Sequence, residues 1–70
     1  MKNIIACCNS DKYDVSLTLI KDGEMYWIIR ADGKHGTISE KVGEDLHLAL
    51  AILQENFHIE ICKRFFKGGK

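Results

Sequence analysis

Two segments flanking one dipeptide constrain this chain more than anything else in it. "YDVSLTLI" (13–20) alternates, with Val15, Leu17 and Leu19 on one side and Asp14, Ser16 and Thr18 on the other. "EMYWIIR" (24–30) is dense in aromatic and β-branched residues, and Asp22-Gly23 separates the two. Period-two alternation marks a half-buried strand, and Asp-Gly between two such runs marks a hairpin. The register has two solutions. A two-residue loop pairs Lys21 with Glu24 and sets Leu17 and Leu19 on the face of Tyr26 and Ile28. A three-residue loop pairs Ile20 with Glu24 and joins Val15, Leu17 and Leu19 to Met25, Trp27 and Ile29 in one wholly apolar face. The second separates polar from apolar better and is the expectation. It puts Asp14 across from Arg30 on the outer face, with Ser16, Thr18, Ile20, Tyr26 and Ile28. It also puts Trp27 in the core. A surface Trp27 would mean the other parity, with Tyr26 and Ile28 inside and Met25, Trp27 and Ile29 outside.

The remaining elements follow from the same rules. A second Asp-Gly at 32–33 predicts a hairpin into "KHGTIS" (34–39), with Ile38 opposite Trp27 and Gly36 weakening the strand. "NIIACC" near the start reads as a further strand. Ser39 is a plausible N-cap for a helix from Glu40 to about Gln54, though Gly43 argues for a start only at Glu44. Val42, Leu46, Ala49, Leu50, Leu53 and Phe57 follow helical spacing as its core stripe, and Asn56 suits its C-terminal cap. "FHIEICKRF" (57–65) alternates again and reads as a last strand. The expected fold is α+β: an antiparallel meander of four to five strands with one α-helix on one face, in the order β-β-β-β-α-β.

Seventy residues make a single domain over 1–70, with a core at about 4–66 and a flexible basic tail at 67–70. Ten Lys+Arg balance ten Asp+Glu, so the chain lacks the net charge that drives nucleic-acid or membrane-surface binding. No apolar run approaches the roughly 18 residues of a membrane helix. The apolar stretch Ile4–Cys8 is shorter than the about 7–15 residues of a signal-peptide core, so a mature cytoplasmic protein is expected. Three cysteines, two adjacent, do not form a disulfide framework and are expected to be reduced.

Chemistry-bearing constellations are weak. Cys7, Cys8, His58 and Cys62 have no pair at zinc-ligand spacing, and His58 and Cys62, four positions apart, suit a helix where a strand is read. A cysteine nucleophile needs a base and an orienting group, and no spacing specifies one. His35 and His47 are expected at the surface. "DGKHG" lacks the strand-to-helix context of a phosphate loop. No enzyme, metal or cofactor is expected.

What stands out is surplus apolar surface. Leu48 and Ile52 fall away from the helix's core stripe. Ile20, Tyr26 and Ile28, beside Arg30, fall on the outer sheet face in the favoured register. A one-helix, one-sheet domain has a single interior, so clusters outside it point to association. The partner interface is therefore expected at Ile20, Tyr26, Ile28, Arg30, Leu48 and Ile52, the partner being another protein or, through a homodimer, a second copy. A basic and aromatic C-terminal segment offers Lys63, Arg64, Phe66 and Lys67 as nucleic-acid contacts.

Over Tyr13–Cys62 the order of elements resembles the partial ribonuclease-H fold of the HicB antitoxin family. That family's "PDLPGC"-type segment is replaced here by "ADGKHG", so no functional residue carries over. The compact, neutral, motif-free chain is similar in style to small bacteriophage and mobile-element modulators that occlude host or defence proteins. The functional expectation is a non-catalytic inhibitor or adaptor of that kind. The alternative is a nucleic-acid-associated or antitoxin-like module using the C-terminal segment.

Overall fold

In the computed structural model, which describes residues 2–34 and 36–68, four antiparallel strands form a meander and one helix packs on it. The strands are β1 (Lys2–Ser10), β2 (Val15–Asp22), β3 (Met25–Asp32) and β4 (Gly36–Gly43), paired in that order. The helix α1 spans Leu46–Gly68. No helix among the described residues is long and apolar enough to cross a membrane.

The β2–β3 hairpin turns later than either register read from the sequence, by one residue of β2 for the two-residue loop and by two for the three-residue loop. Asp22 pairs with Met25, which leaves Gly23 and Glu24 as the loop. Gly23 takes φ 67, the value that the first position of a type I′ or II′ turn requires. Glu24 is not among the positive-φ residues, which selects type II′. This loop fixes the parity: Leu19 pairs with Ile28 and Leu17 with Arg30. The expected apolar face of Met25, Trp27 and Ile29 is therefore the outer one, and Tyr26 and Ile28 are core residues at 7% and 2% exposure. Turn geometry overrode the neater separation of polar from apolar.

The core is built from Val15, Leu17 and Leu19 of β2, Tyr26 and Ile28 of β3, and Ala49 and Leu53 of α1. Ala6, Cys8, Tyr13, Val42, Leu50, Ile52, Phe57 and Ile61 pack around it. The helix lies mainly over β2 and covers β4 least.

Both helix boundaries depart from the sequence reading. Ser39 is not a cap, because Ser39, Glu40 and Lys41 stay in β4, paired with Ile29, Ile28 and Trp27. Gly43, at φ 106, turns the chain out of the sheet. Asp45 is the N-cap: its Oδ1 accepts the amides of His47 at 2.9 Å and Leu48 at 3.3 Å. At the other end the helix runs through Asn56 and absorbs the expected last strand. Phe57, Glu60, Ile61 and Arg64 sit at i, i+3, i+4 and i+7, so the segment satisfied a helical period as well as an alternating one. With no proline in the chain and no glycine between Gly43 and Gly68, nothing interrupts the helix. The final strand that the antitoxin resemblance required is thus absent from the described residues. Helical backbone also reaches Gly68 within the segment read as a flexible tail; Gly69, Lys70 and His35 lie outside the described residues.

Candidate interaction surfaces

Three features of this fold project chemistry outward: the uncovered sheet face, one flank of α1, and a charged cluster where α1 meets the far end of the sheet.

The uncovered face follows from the register. Opposite the helix stand Ile4, Ile20, Trp27 and Lys41 in one cross-strand row, and Cys7, Thr18, Ile29 and Ser39 in the next. Lys2, Asp22 and Met25 form the row at the hairpin end, and Asn9, Ser16, Ala31 and Thr37 the row at the other. Ile20 is only 8% exposed although no helix covers it, because Ile4 and Trp27 stand beside it on the neighbouring strands. Ile4 is 74% exposed. A shallow cavity of about 180 Å³ between Lys2, Ile20, Asp22, Trp27, Ile29 and Ser39 marks the centre of the face. The Cys7 thiol is exposed here, 3.4 Å from the Thr18 hydroxyl.

The helix buries one side and leaves one flank open. Leu50, Phe57 and Ile61 belong to the covered side. Leu48, Ile52, Glu55, Ile59, Cys62 and Phe66 are spaced alternately four and three apart, the spacing of a coiled-coil seam. Leu48, Ile59 and Phe66 are 53%, 43% and 70% exposed, and Ile52 and Cys62 are half-buried. Phe65 stacks edge-on against Phe66, ring centres 5.6 Å apart. The sheet is open on β4 as well: Ile38, which faces the helix side opposite Arg30, is 47% exposed.

At the far end, four charged side chains tie α1 to β3. Glu60, 8% exposed, accepts from Arg30 Nη1 at 2.8 Å and from Arg64 Nη1 one helical turn on. Arg64 Nη2 donates to Asp32 Oδ2 at 3.1 Å. Arg30 and Asp32 point inward from β3, where apolar residues would stand in a longer core; they are tolerated because the helix supplies partners of opposite charge. Burial alone would push the Glu60 carboxyl up. The hydrogen bonds from Arg64 and Arg30, with their positive charges, outweigh it and hold the group below 4.5. Beside this cluster the β1–β2 and β3–β4 loops approach closely: a Cβ on Gly33 would come 1.9 Å from Asp14 Oδ2.

The residues singled out from sequence distribute as follows. Tyr26 and Ile28 lie beneath the helix and are removed from the interface, and Arg30 is held by Glu60. Ile20 stays on the outer face, joined there by Trp27, Ile29, Met25 and Ile4. Leu48 and Ile52 belong to the helix flank, Ile52 also packing on the core. Lys63 and Phe66 are exposed, Arg64 is engaged by two carboxylates, and the side chain of Lys67 lies outside the described residues. Ile59 and Phe66 were missed as flank residues because their segment was read as a strand; the four-three spacing from Leu48 was the signal. Cys62 Sγ lies 3.5 Å from His58 Nε2, and among the described residues no three His, Cys, Asp or Glu side chains are grouped to hold a metal. Comparison with protein-family models, with curated proteins and with solved structures finds no match.

Proposed function

We propose that this protein is a non-catalytic adaptor or inhibitor that acts by occupying a partner's surface, in the manner of small mobile-element modulators. The observation that carries this reading is the seam along α1, in which Leu48, Ile59 and Phe66 stand exposed. A seam of this spacing fits the apolar side of a partner helix, its side chains entering the gaps between the partner's. Each of the three would contribute about 1.5–3 kcal/mol if buried from full exposure. Since each is already partly covered, roughly half of that, on the order of 2–5 kcal/mol in all, remains to be gained. Association also costs about 4–15 kcal/mol of rigid-body freedom, so a micromolar complex at about 8 kcal/mol needs further contacts around these three anchors.

The test is affinity capture with the wild-type protein and with Leu48→Glu and Ile59→Glu, both at exposed positions that leave the core intact. A specific partner should be retained by the wild type and lost at least tenfold by each variant. Equal retention by all three would remove the seam from the interaction. The nucleic-acid reading keeps Lys63 and Phe66, but the Arg64 guanidinium is occupied by Glu60 and Asp32. Absence of DNA and RNA binding at low salt is expected, where a phosphate-driven contact would be strongest.

A further inference from the structure

We infer that the uncovered sheet face is closed by a second copy of this chain, two sheets packing back to back with the helices outside. This goes beyond the adaptor reading and uses a different surface. Four strands about 4.8 Å apart and eight residues of about 3.3 Å rise give the face a planar footprint of roughly 500 Å². Side-chain relief raises the accessible area of such a face toward the about 800 Å² per partner of a standard specific interface. A second sheet laid about 10 Å away is a standard way to cover a surface of this shape, with strands within about 30° of alignment.

The distribution of charge selects a copy of the same chain. The two central rows hold the apolar residues Ile4, Ile20, Trp27 and Ile29 together with the uncharged Cys7, Thr18 and Ser39, and Lys41 stands at the β4 edge. The other charges, Lys2 and Asp22, sit in the row at the hairpin end, while Asn9, Ser16, Ala31 and Thr37 make the opposite end neutral. A two-fold axis lying in the interface and running across the strands sets the charged end of one copy over the neutral end of the other. The row of Ile4, Ile20, Trp27 and Lys41 then meets the second copy's row of Cys7, Thr18, Ile29 and Ser39, so that Trp27 lies over Ile29 twice, once from each copy, and no lysine sits directly over its own symmetry mate. The zero formal net charge of the chain removes the long-range repulsion that would oppose this. The dimer leaves both α1 flanks outward, so it presents two equivalent seams to partners.

The face carries its own reporters, Trp27 and the exposed thiol of Cys7. At roughly 100 µM the wild type should sediment at twice the 8.0 kDa chain mass, with Cys7 alkylation slowed at least tenfold relative to dilute protein. Ile4→Glu, at a side chain the fold leaves 74% exposed, and Ile29→Glu should each raise the dissociation constant at least 100-fold, because symmetry makes one change act twice. Leu48→Glu should leave it unchanged. A wild type that is monomeric at about 1 mM overturns the inference, since that exceeds any concentration at which a standard interface stays open. So does a dimer insensitive to both sheet variants. Either failure leaves the helix seam untouched, and loss of capture by Leu48→Glu with an intact dimer would sink neither conclusion.

Discussion

Replacing Glu60 by Gln keeps the shape of the side chain and removes its charge, and it tests the most consequential departure of the structure from its sequence. In the alternating strand read over 57–65, Glu60 would stand at the surface, and its loss would change little. In the helix it is 8% exposed and receives Arg30 and Arg64. Hydrogen bonds to charged groups contribute about 1.5–3 kcal/mol each. Arg30 and Arg64 keep 33% and 22% of their side chains exposed, so solvent screens part of that. An amide oxygen still accepts one bond, and Arg64 keeps Asp32. The net loss comes to about 1–2 kcal/mol, a large fraction of the roughly 4–10 kcal/mol expected for a domain of this size. It should lower Tm by about 4–16 °C at neutral pH. Because the folded protein holds the Glu60 carboxyl below 4.5, the unfolded chain takes up this proton first as pH falls. The stabilisation is therefore complete above the unfolded pKa and is lost as pH drops through the folded one. Thermal melts from pH 7 down to pH 3 should show wild type and Glu60→Gln converging at the acid end. Melts that coincide within about 2 °C at pH 7 and keep parallel acid limbs would show that the last turns of α1 do not dock through this carboxylate.

Three further outcomes are expected. Leu53→Ala removes a side chain that is 1% exposed at the centre of the core and should cost about 2–5 kcal/mol, enough to unfold much of the population by chemical denaturation. Asp45→Ala removes the acceptor of two helix amides and should cost about 1 kcal/mol, read as a lower midpoint in urea with an unchanged slope. In an Ile4→Glu background, Tyr26→Ala should cost about 3–5 kcal/mol and Trp27→Ala clearly less, the reverse of what the apolar-face register predicts; equal costs would return Trp27 to the core.

The fold was legible where local chemistry had one answer. Alternation around two Asp-Gly pairs gave the meander, and Ala49, Leu50 and Leu53 gave the helix on one face. It was illegible where two answers shared a pattern. Phe57, Ile59 and Ile61 alternate, while Phe57, Glu60, Ile61 and Arg64 repeat helically; nothing breaks the helix there, and the inward Arg30 and Asp32 of β3 supply charged partners to Glu60 and Arg64. The hairpin register turned on where Gly23 sits in the loop: it takes positive φ in the expected and the observed turn alike, but it heads a two-residue loop instead of ending a three-residue one, and the register that follows puts Tyr26 and Ile28 in the core in place of Trp27 and Ile29. The interface residues inherited both outcomes. Leu48 stayed at the surface because its position on the helix is set by spacing alone, whereas Tyr26 and Ile28 moved inside with the register.

The bulges in both edge strands have a meaning in the order of synthesis. Pairing shifts at Ile5 in β1 and at Val42 in β4, between Ile4 and Ala6 and beside Tyr26 and Trp27. Every strand pairs with its sequence neighbour, so hairpins close early and locally, while α1 follows all four strands. A nascent chain therefore holds a sheet with two uncovered faces, the inner one apolar and the outer one mixed, and two free edges before any helix exists to cover one of them. Such an intermediate is open to misassembly between chains, since free edges are templates for pairing. A bulge breaks the regular row of donors and acceptors that a neighbouring nascent chain would copy, and Lys41 next to Val42 and Lys2 three residues before Ile5 add charge to the same strands. The irregularities of β1 and β4 thus act earliest, as guards on a half-made molecule, before the helix arrives to bury its inner face.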